Sequence, residues 1–350
     1  MNIKDYGWND FFETQWKERA SAAMFPGRII ADFGQQLKVM TDSGELTVNR
    51  PLQKGENSLQ LAAGDWVGLE TVQGADTLIR FVLTRKTKFS RAAAGIEVRE
   101  QIVAANADTV FLIQSLNRDF NMKRLERYII AAWDSGAVPV VVLTKADCCE
   151  DTGEKLGMVY GTAPGVEVHA VSSVTGQGIE DIRKYLLPGQ TVALLGSSGV
   201  GKSTLINTLA GKEILKTQSI REDDSRGRHT TTHRELVLLP GGGLILDTPG
   251  MRTLSLWDSD TGMDIMFGDI EELVLKCRFH DCKHRDEPGC AVRAALETEK
   301  LEKKRWESWL KLQKEIAFME SKKDGKLRLQ EKQWGRQLSK QQKNLAKGKL

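Results

Sequence analysis

The chain has 350 residues, 40% of them hydrophobic and 28% charged, with a formal net charge of +3. That length predicts two or three domains, and the composition is that of an ordinary globular protein rather than a disordered one. No apolar run approaches the roughly 18 residues of a membrane span, and the start MNIKDYGWNDFFETQWKERA is not a secretory signal, so a cytoplasmic protein with no membrane partner is expected.

In chain order, residues 1–24 read as a helical extension. Trp8, Phe12 and Trp16 recur at i, i+4 spacing and predict a short amphipathic helix packed on the body of the protein. Residues 25–90 change period. Short β-type runs at 28–31, 37–40, 46–48, 65–70 and 78–83 are separated by turn residues such as Asp42, Ser43 and Gly44. Five short strands in so few residues predict a small closed barrel of OB type. Such barrels commonly bind single-stranded nucleic acid, but a purely structural barrel fits the pattern too.

Residues 91–255 alternate strand and helix. Apolar runs at 108–113, 138–143, 166–171, 191–195 and 243–246, with a helical pattern at 123–136, predict a buried parallel sheet with helices on both faces. Residues 256–320 hold a Cys/His cluster in a helical setting, and 321–350 form a basic tail. From Lys300 onward Lys and Arg clearly outnumber acids. That excess fits a polyanionic partner and equally a solvated helix. The fold class is therefore multi-domain α/β.

The chemistry begins at Gly196-Ser197-Ser198-Gly199-Val200-Gly201-Lys202-Ser203, which fits GxxxxGK[ST]. It follows the 191–195 strand and opens a helix at Thr204, the context a phosphate-binding loop requires. Glycines let backbone N–H groups surround the β- and γ-phosphates, the helix N-terminus adds positive potential, and Lys202 reaches the phosphates. The Ser203 hydroxyl takes a Mg²⁺ position. Downstream, Asp247-Thr248-Pro249-Gly250 ends another apolar strand. Asp247 there holds Mg²⁺, directly or through water, and Gly250 donates a backbone N–H to the γ-phosphate.

Thr144-Lys145-Ala146-Asp147 fits the TKxD form of a guanine-reading motif. The Asp147 carboxylate would accept from guanine N1 and N2, a donor pair adenine lacks. Lys145 would lay its stem on the base, and Thr144 stands where Asn is more usual. Ser172 and Ser173, after the 166–171 strand, are placed to meet the guanine O6 edge. These base motifs precede the phosphate loop, the reverse of most GTPases, which predicts a circularly permuted sheet.

Five cysteines, an odd number, argue against a disulfide framework. Cys277, Cys282 and Cys290 with a histidine can instead close a tetrahedral shell around one structural Zn²⁺. On spacing alone His280 and His284 both qualify.

The permuted order, GSSGVGKS, the stretch RGRHTTTH at 226–233, GDWV, AANADTVFLIQSL and the Cys/His cluster together resemble the RsgA family of small-ribosomal-subunit-dependent GTPases, over about residues 25–300. The resemblance implies the following. His284 is the fourth zinc ligand. Thr231 is the switch threonine that senses Mg²⁺ and the γ-phosphate. His229 is the catalytic group that orients water, because Met251 stands where GTPases often carry Gln. The partners are GTP and GDP, the small subunit and its rRNA, and the protein acts as a monomer late in subunit assembly, released by hydrolysis. A GTPase acting on another structured RNA is the alternative.

Overall fold

The computed structural model describes residues 2–51, 59–72, 76–92, 100–117, 119–163, 165–215, 234–247 and 260–323. They fall into two compact units, residues 1–91 with 101–268, and residues 92–100 with 269–350.

The first unit opens with a 3-10 turn (Ile3–Tyr6) and helix α1 (Asp10–Arg19), whose N-caps are Asn2 and Asn9. The aromatic stripe read from the sequence has a packing role. Trp8 lies 4.8 Å from Trp66, Phe12 5.6 Å from Trp66, and Trp16 5.9 Å from Phe81. Strands β1 (Met24–Asp32), β2 (Gln36–Thr41), β3 (Gly44–Asn49), β4 (Trp66–Thr71) and β5 (Thr77–Val82) follow. All their pairings are antiparallel: β1 with β2 and β4, β2 with β3, and β4 with β5. Because β3 also lies against β5, the five strands wrap around Ile29, Leu37, Val39, Val48, Val67, Leu69 and Ile79. Alternate side chains of each run thus share one apolar interior. A two-stranded ribbon, β6 (Lys88–Ala92) with β7 (Glu100–Ala105), is an addition that the sequence pattern did not predict.

The α/β part contains β8 (Thr109–Ser115), α2 (Met122–Asp134), β9 (Val138–Thr144), α3 (Thr152–Thr162) and β10 (Glu167–Ala170). It continues with α4 (Ile179–Arg183), β11 (Thr191–Gly196), α5 (Lys202–Ala210), β12 (Arg234–Leu238) and β13 (Leu244–Asp247). The sheet order is β10-β9-β8-β11-β13-β12-β1-β2-β3. The strands from β10 to β13 are parallel, and β12 runs antiparallel to β13. β12 then pairs antiparallel with β1, Ala31 opposite Glu235 and Asp32 opposite Arg234. One continuous sheet therefore runs from the α/β part into the five-stranded part.

Parallel strands need cover on both faces. Phe111, Ile113, Val140, Val142, Val192, Leu194 and Ile245 meet Leu205, Ile206 and Leu209 of α5 and Ile179 and Ile182 of α4 on one face, while α2 packs on β8 and β9. The chain reaches β8 before β11, yet the two are neighbours, with successors leading away in opposite directions. The order therefore reverses between them, and ligands of such sheets bind at the carboxyl ends of strands at that reversal.

Helix α6 (Asp260–Leu275) starts in the first unit, where the Gly262 N–H donates to Asp134 Oδ1 at 2.7 Å. It is broken at Phe267 (φ −125°, ψ 27°) and continues into the second unit. That unit also holds α7 (Ala291–Glu297) and α8 (Lys303–Lys323). Arg305 forks onto Asp269 at 3.0 and 2.8 Å, and the Trp309 indole donates to Glu271 at 2.8 Å. Among the described residues no helix is long and apolar enough to cross a membrane. The basic tail from 324 onward lies outside the described residues.

Candidate functional site

The carboxyl ends of β9, β10, β11 and β13 bring three sequence motifs and Asp247 to one edge of the sheet. After β11 the chain turns through residues 196–201 and enters α5 at Lys202. Two glycines make the turn possible. At Gly196 a Cβ would stand 2.5 Å from the Ile113 carbonyl oxygen, and Gly201 holds φ +98°, a conformation side chains resist. The Lys202 ammonium folds back over the loop and donates to the Gly196 and Ser197 carbonyls, 2.7 Å each. Ser203 and Thr204 lie in the first turn of α5, where unpaired helical N–H groups favour an anion.

Thr144 and Lys145, from the end of β9, are tied to that loop. The buried Thr144 hydroxyl lies within hydrogen-bond reach of the Val200 carbonyl at 2.5 Å and the Gln114 carbonyl at 3.3 Å. The Lys145 ammonium donates to the Gly199 carbonyl at 3.0 Å. Lys145 itself adopts φ +60°, which turns the chain so that Asp147 emerges into solvent. The Ser172 hydroxyl and the Cys148 thiol, the latter at 3.2 Å, donate to the Asp147 carboxylate and hold it below the usual carboxylate range. Ser172 is buried, accepts from the Val174 and Thr175 amides at 3.2 Å each, and so fixes the loop that carries Ser173. The structure thus brings together Thr144, Lys145, Asp147, Ser172, Ser173 and the loop from Gly196 through Ser198, Gly199, Val200 and Gly201 to Thr204. Spacing alone did not reveal the Cys148 contact; its only sequence signal is adjacency to Asp147.

Asp247 ends β13, 9% exposed, and its Oδ1 has no hydrogen-bond partner among the described residues. Burial raises its pKa, the Lys202 ammonium lowers it, and the Glu235 carboxylate raises it further, the net direction being up. An unpartnered buried acceptor near a phosphate loop is the donor set a hydrated Mg²⁺ would satisfy, with the Ser203 hydroxyl as a further oxygen. Gly250, Thr231 and His229 lie outside the described residues. His169 contacts Tyr185 at 2.9 Å and Glu167 at 3.5 Å and belongs to a surface network.

In the second unit, one ligand atom each from Cys277, Cys282, His284 and Cys290 lies within 4.8 Å of the others. His284 Nδ1 is 3.5 Å from Cys277 Sγ and 3.6 Å from Cys290 Sγ. The left-handed His284 backbone, φ +58°, belongs to the turn that brings this ring rather than His280 to the cluster. The edge of the Trp306 ring meets the imidazole at 5.4 Å and 82°. Cys290 caps α7, its sulfur accepting the Arg293 N–H at 3.4 Å. Burial raises the Cys277 thiol pKa, but the Val292 and Ala291 amides and the neighbouring thiols outweigh it, leaving the thiol more acidic than usual. Three sulfurs and one imidazole nitrogen fit a closed tetrahedral Zn²⁺ shell.

A family model described as RsgA GTPase matches residues 82–257, and one described as 50S ribosome-binding GTPase matches residues 191–324. The small ribosomal subunit biogenesis GTPase RsgA 2 of Listeria monocytogenes serotype 4b is 44% identical over 95% of this chain and 94% of its own. A protein of the same name from Vibrio parahaemolyticus is 43% identical over 90% of this chain and 86% of its own. Among solved structures, YjeQ from Thermotoga maritima aligns with TM-score 0.59 and 25% identity, covering 84% of this chain and 99% of that one. YloQ, described as a circularly permuted GTPase, shares the fold at TM-score 0.56 and 22% identity, covering 85% and 98%.

Proposed function

The chain belongs to the RsgA GTPase family and is a GTP hydrolase on a circularly permuted P-loop fold, and from that premise we propose that it acts in late maturation of the small ribosomal subunit. It binds rRNA, hydrolyses GTP on contact with the subunit, and leaves as GDP replaces GTP. The observation that carries the nucleotide site is the bond pair from Thr144 and Lys145 to the Val200 and Gly199 carbonyls. It holds the base-reading and phosphate-binding segments as one rigid cradle, so a nucleotide meets a preorganised site.

In this reading the amides of residues 196–204 and the Lys202 ammonium hold the β- and γ-phosphates, the ammonium exchanging loop carbonyls for phosphate oxygens. Gly250 adds its amide to the γ-phosphate. Asp147, kept ionised by Ser172 and Cys148, accepts from guanine N1 and N2, while Ser172 and Ser173 present the loop that meets O6. Ser203, Asp247 and Thr231 hold Mg²⁺, which when bound neutralises the phosphate charge that grows during transfer. His229 orients the attacking water and takes its proton near neutral pH. The five-stranded part is an OB-type barrel and the second unit a zinc-stapled helical domain; both meet rRNA, and the protein works as a cytoplasmic monomer.

The test is GTP hydrolysis by wild type and His229→Ala, each alone, with small subunits, with large subunits and with bulk RNA. The large-subunit arm is there because the second family model carries a 50S description. Stimulation by small subunits alone, lost in His229→Ala, is expected. Equal stimulation by bulk RNA or large subunits would overturn the small-subunit assignment.

A further inference from the structure

Across the join between the α/β sheet and the five-stranded part, the register lines up one row of residues. Asp247 of β13 stands opposite Glu235 of β12, Glu235 opposite Ala31 of β1, and Ala31 opposite Lys38 of β2. Directly paired residues share a face, with Cβ atoms roughly 4.5–5.5 Å apart. Two carboxylates are therefore neighbours at the end of the strand that closes the phosphate site, and Glu235 is exposed where Asp247 is buried. Like charges at that spacing repel. Among the described residues nothing donates to Asp247 Oδ1. On the other side, Ala31 offers only a methyl group. The Lys38 ammonium, paired first with Glu45 at 2.7 Å, also feels Glu235.

An arrangement that sets a second acid beside a buried, unpartnered carboxylate lowers its energy when a cation arrives. We propose that Glu235 is a positioning residue of the divalent-cation site, its carboxylate holding the outer water shell of the cation that Asp247 faces. The inference rests on the reading of Asp247 as a Mg²⁺ group. Mg²⁺ retains several waters when bound to nucleotide, so an exposed carboxylate one strand away can act on those waters without entering the inner shell. When the cation departs, the two acids are left facing each other, which weakens retention of the diphosphate.

The experiment measures release of a fluorescent GDP from the full chain as Mg²⁺ is titrated. Glu235→Gln is near-isosteric at an exposed position, so a matching thermal melt keeps folding out of the comparison. Removing one charge at this separation is expected to raise the half-saturating Mg²⁺ concentration roughly 3- to 10-fold. Glu235→Asp, which keeps the charge, stays within about twofold of wild type. GDP affinity in chelator is tighter for Glu235→Gln, a result that a merely structural role would not give, and an unchanged affinity there would contradict the repulsion between the two acids. Asp247→Asn separates the two readings. If it shifts the Mg²⁺ titration while Glu235→Gln does not, the inference about Glu235 is wrong and the Mg²⁺ reading of Asp247 stands. If neither shifts it, both fall.

Discussion

The Asp147 carboxylate is held ionised by donors from Ser172 and Cys148, so a ligand that offers two N–H groups meets a charged acceptor. A carboxyl group whose pKa is lowered keeps its charge above that pKa and loses it only as pH falls through it. The preference for GTP over ATP is therefore expected to stay flat from about pH 8 down to about 5. Asp147→Asn should reduce that preference by about a hundredfold or more; competitive titration with both nucleotides reads each outcome. Thr144→Val keeps the side-chain shape but removes the buried hydroxyl that meets the Val200 carbonyl. The unpaired carbonyl should cost about 1–3 kcal/mol, seen as a lower urea midpoint. The motifs that carry these residues are legible because each is contiguous and has fixed spacing. The Thr144 bond to Val200, the Cys148 bond to Asp147 and the orphaned Asp247 oxygen are not, since they arise only when separate strands align.

At the scale of elements, the long apolar runs of β8, β9 and β11 could be read directly, because strands buried on both faces carry near-continuous hydrophobic sequence. β12 (RELVL) was missed: three apolar residues beside charged ones give no clear period. The cysteine spacing marks the metal cluster, whereas the support of His284 by Trp306, and the stack of Trp306 on Trp309 at 4.8 Å, needed the fold. The second unit has few buried residues of its own, so metal binding should contribute much of its folding. Removing the ion with a strong chelator, or Cys282→Ser, is expected to reduce helical circular dichroism and raise protease sensitivity around residues 277–290. GDP binding by the first unit should persist; a variant that keeps its full helical signal without metal would contradict the structural role.

For the whole molecule, the order of motifs along the chain foretold a permuted sheet, and the strand order bears it out. What could not be foreseen is how the first unit is tied together. Arg28, fully buried, donates to the carbonyls of Tyr6, Gly64 and Asn106 and lies against the Trp66 ring. It joins the N-terminal turn, the five-stranded part and the entry to β8. Burial brings its pKa down to about 10, so it stays charged at neutral pH. Arg28→Ala should leave those carbonyls unpaired and cost at least about 3 kcal/mol. Arg28→Lys should not restore the loss, because one ammonium cannot span the same fork; chemical denaturation of both variants checks this. Sequence showed only an arginine in an apolar strand.

Among the described residues the pairing of β12 with β1 spans two residue pairs. So brief a ladder can part and re-form without unfolding either side. Deuterium from solvent should therefore enter the backbone at this seam long before it reaches β8 and β9, and a tightly held triphosphate that braces β13 should slow that entry.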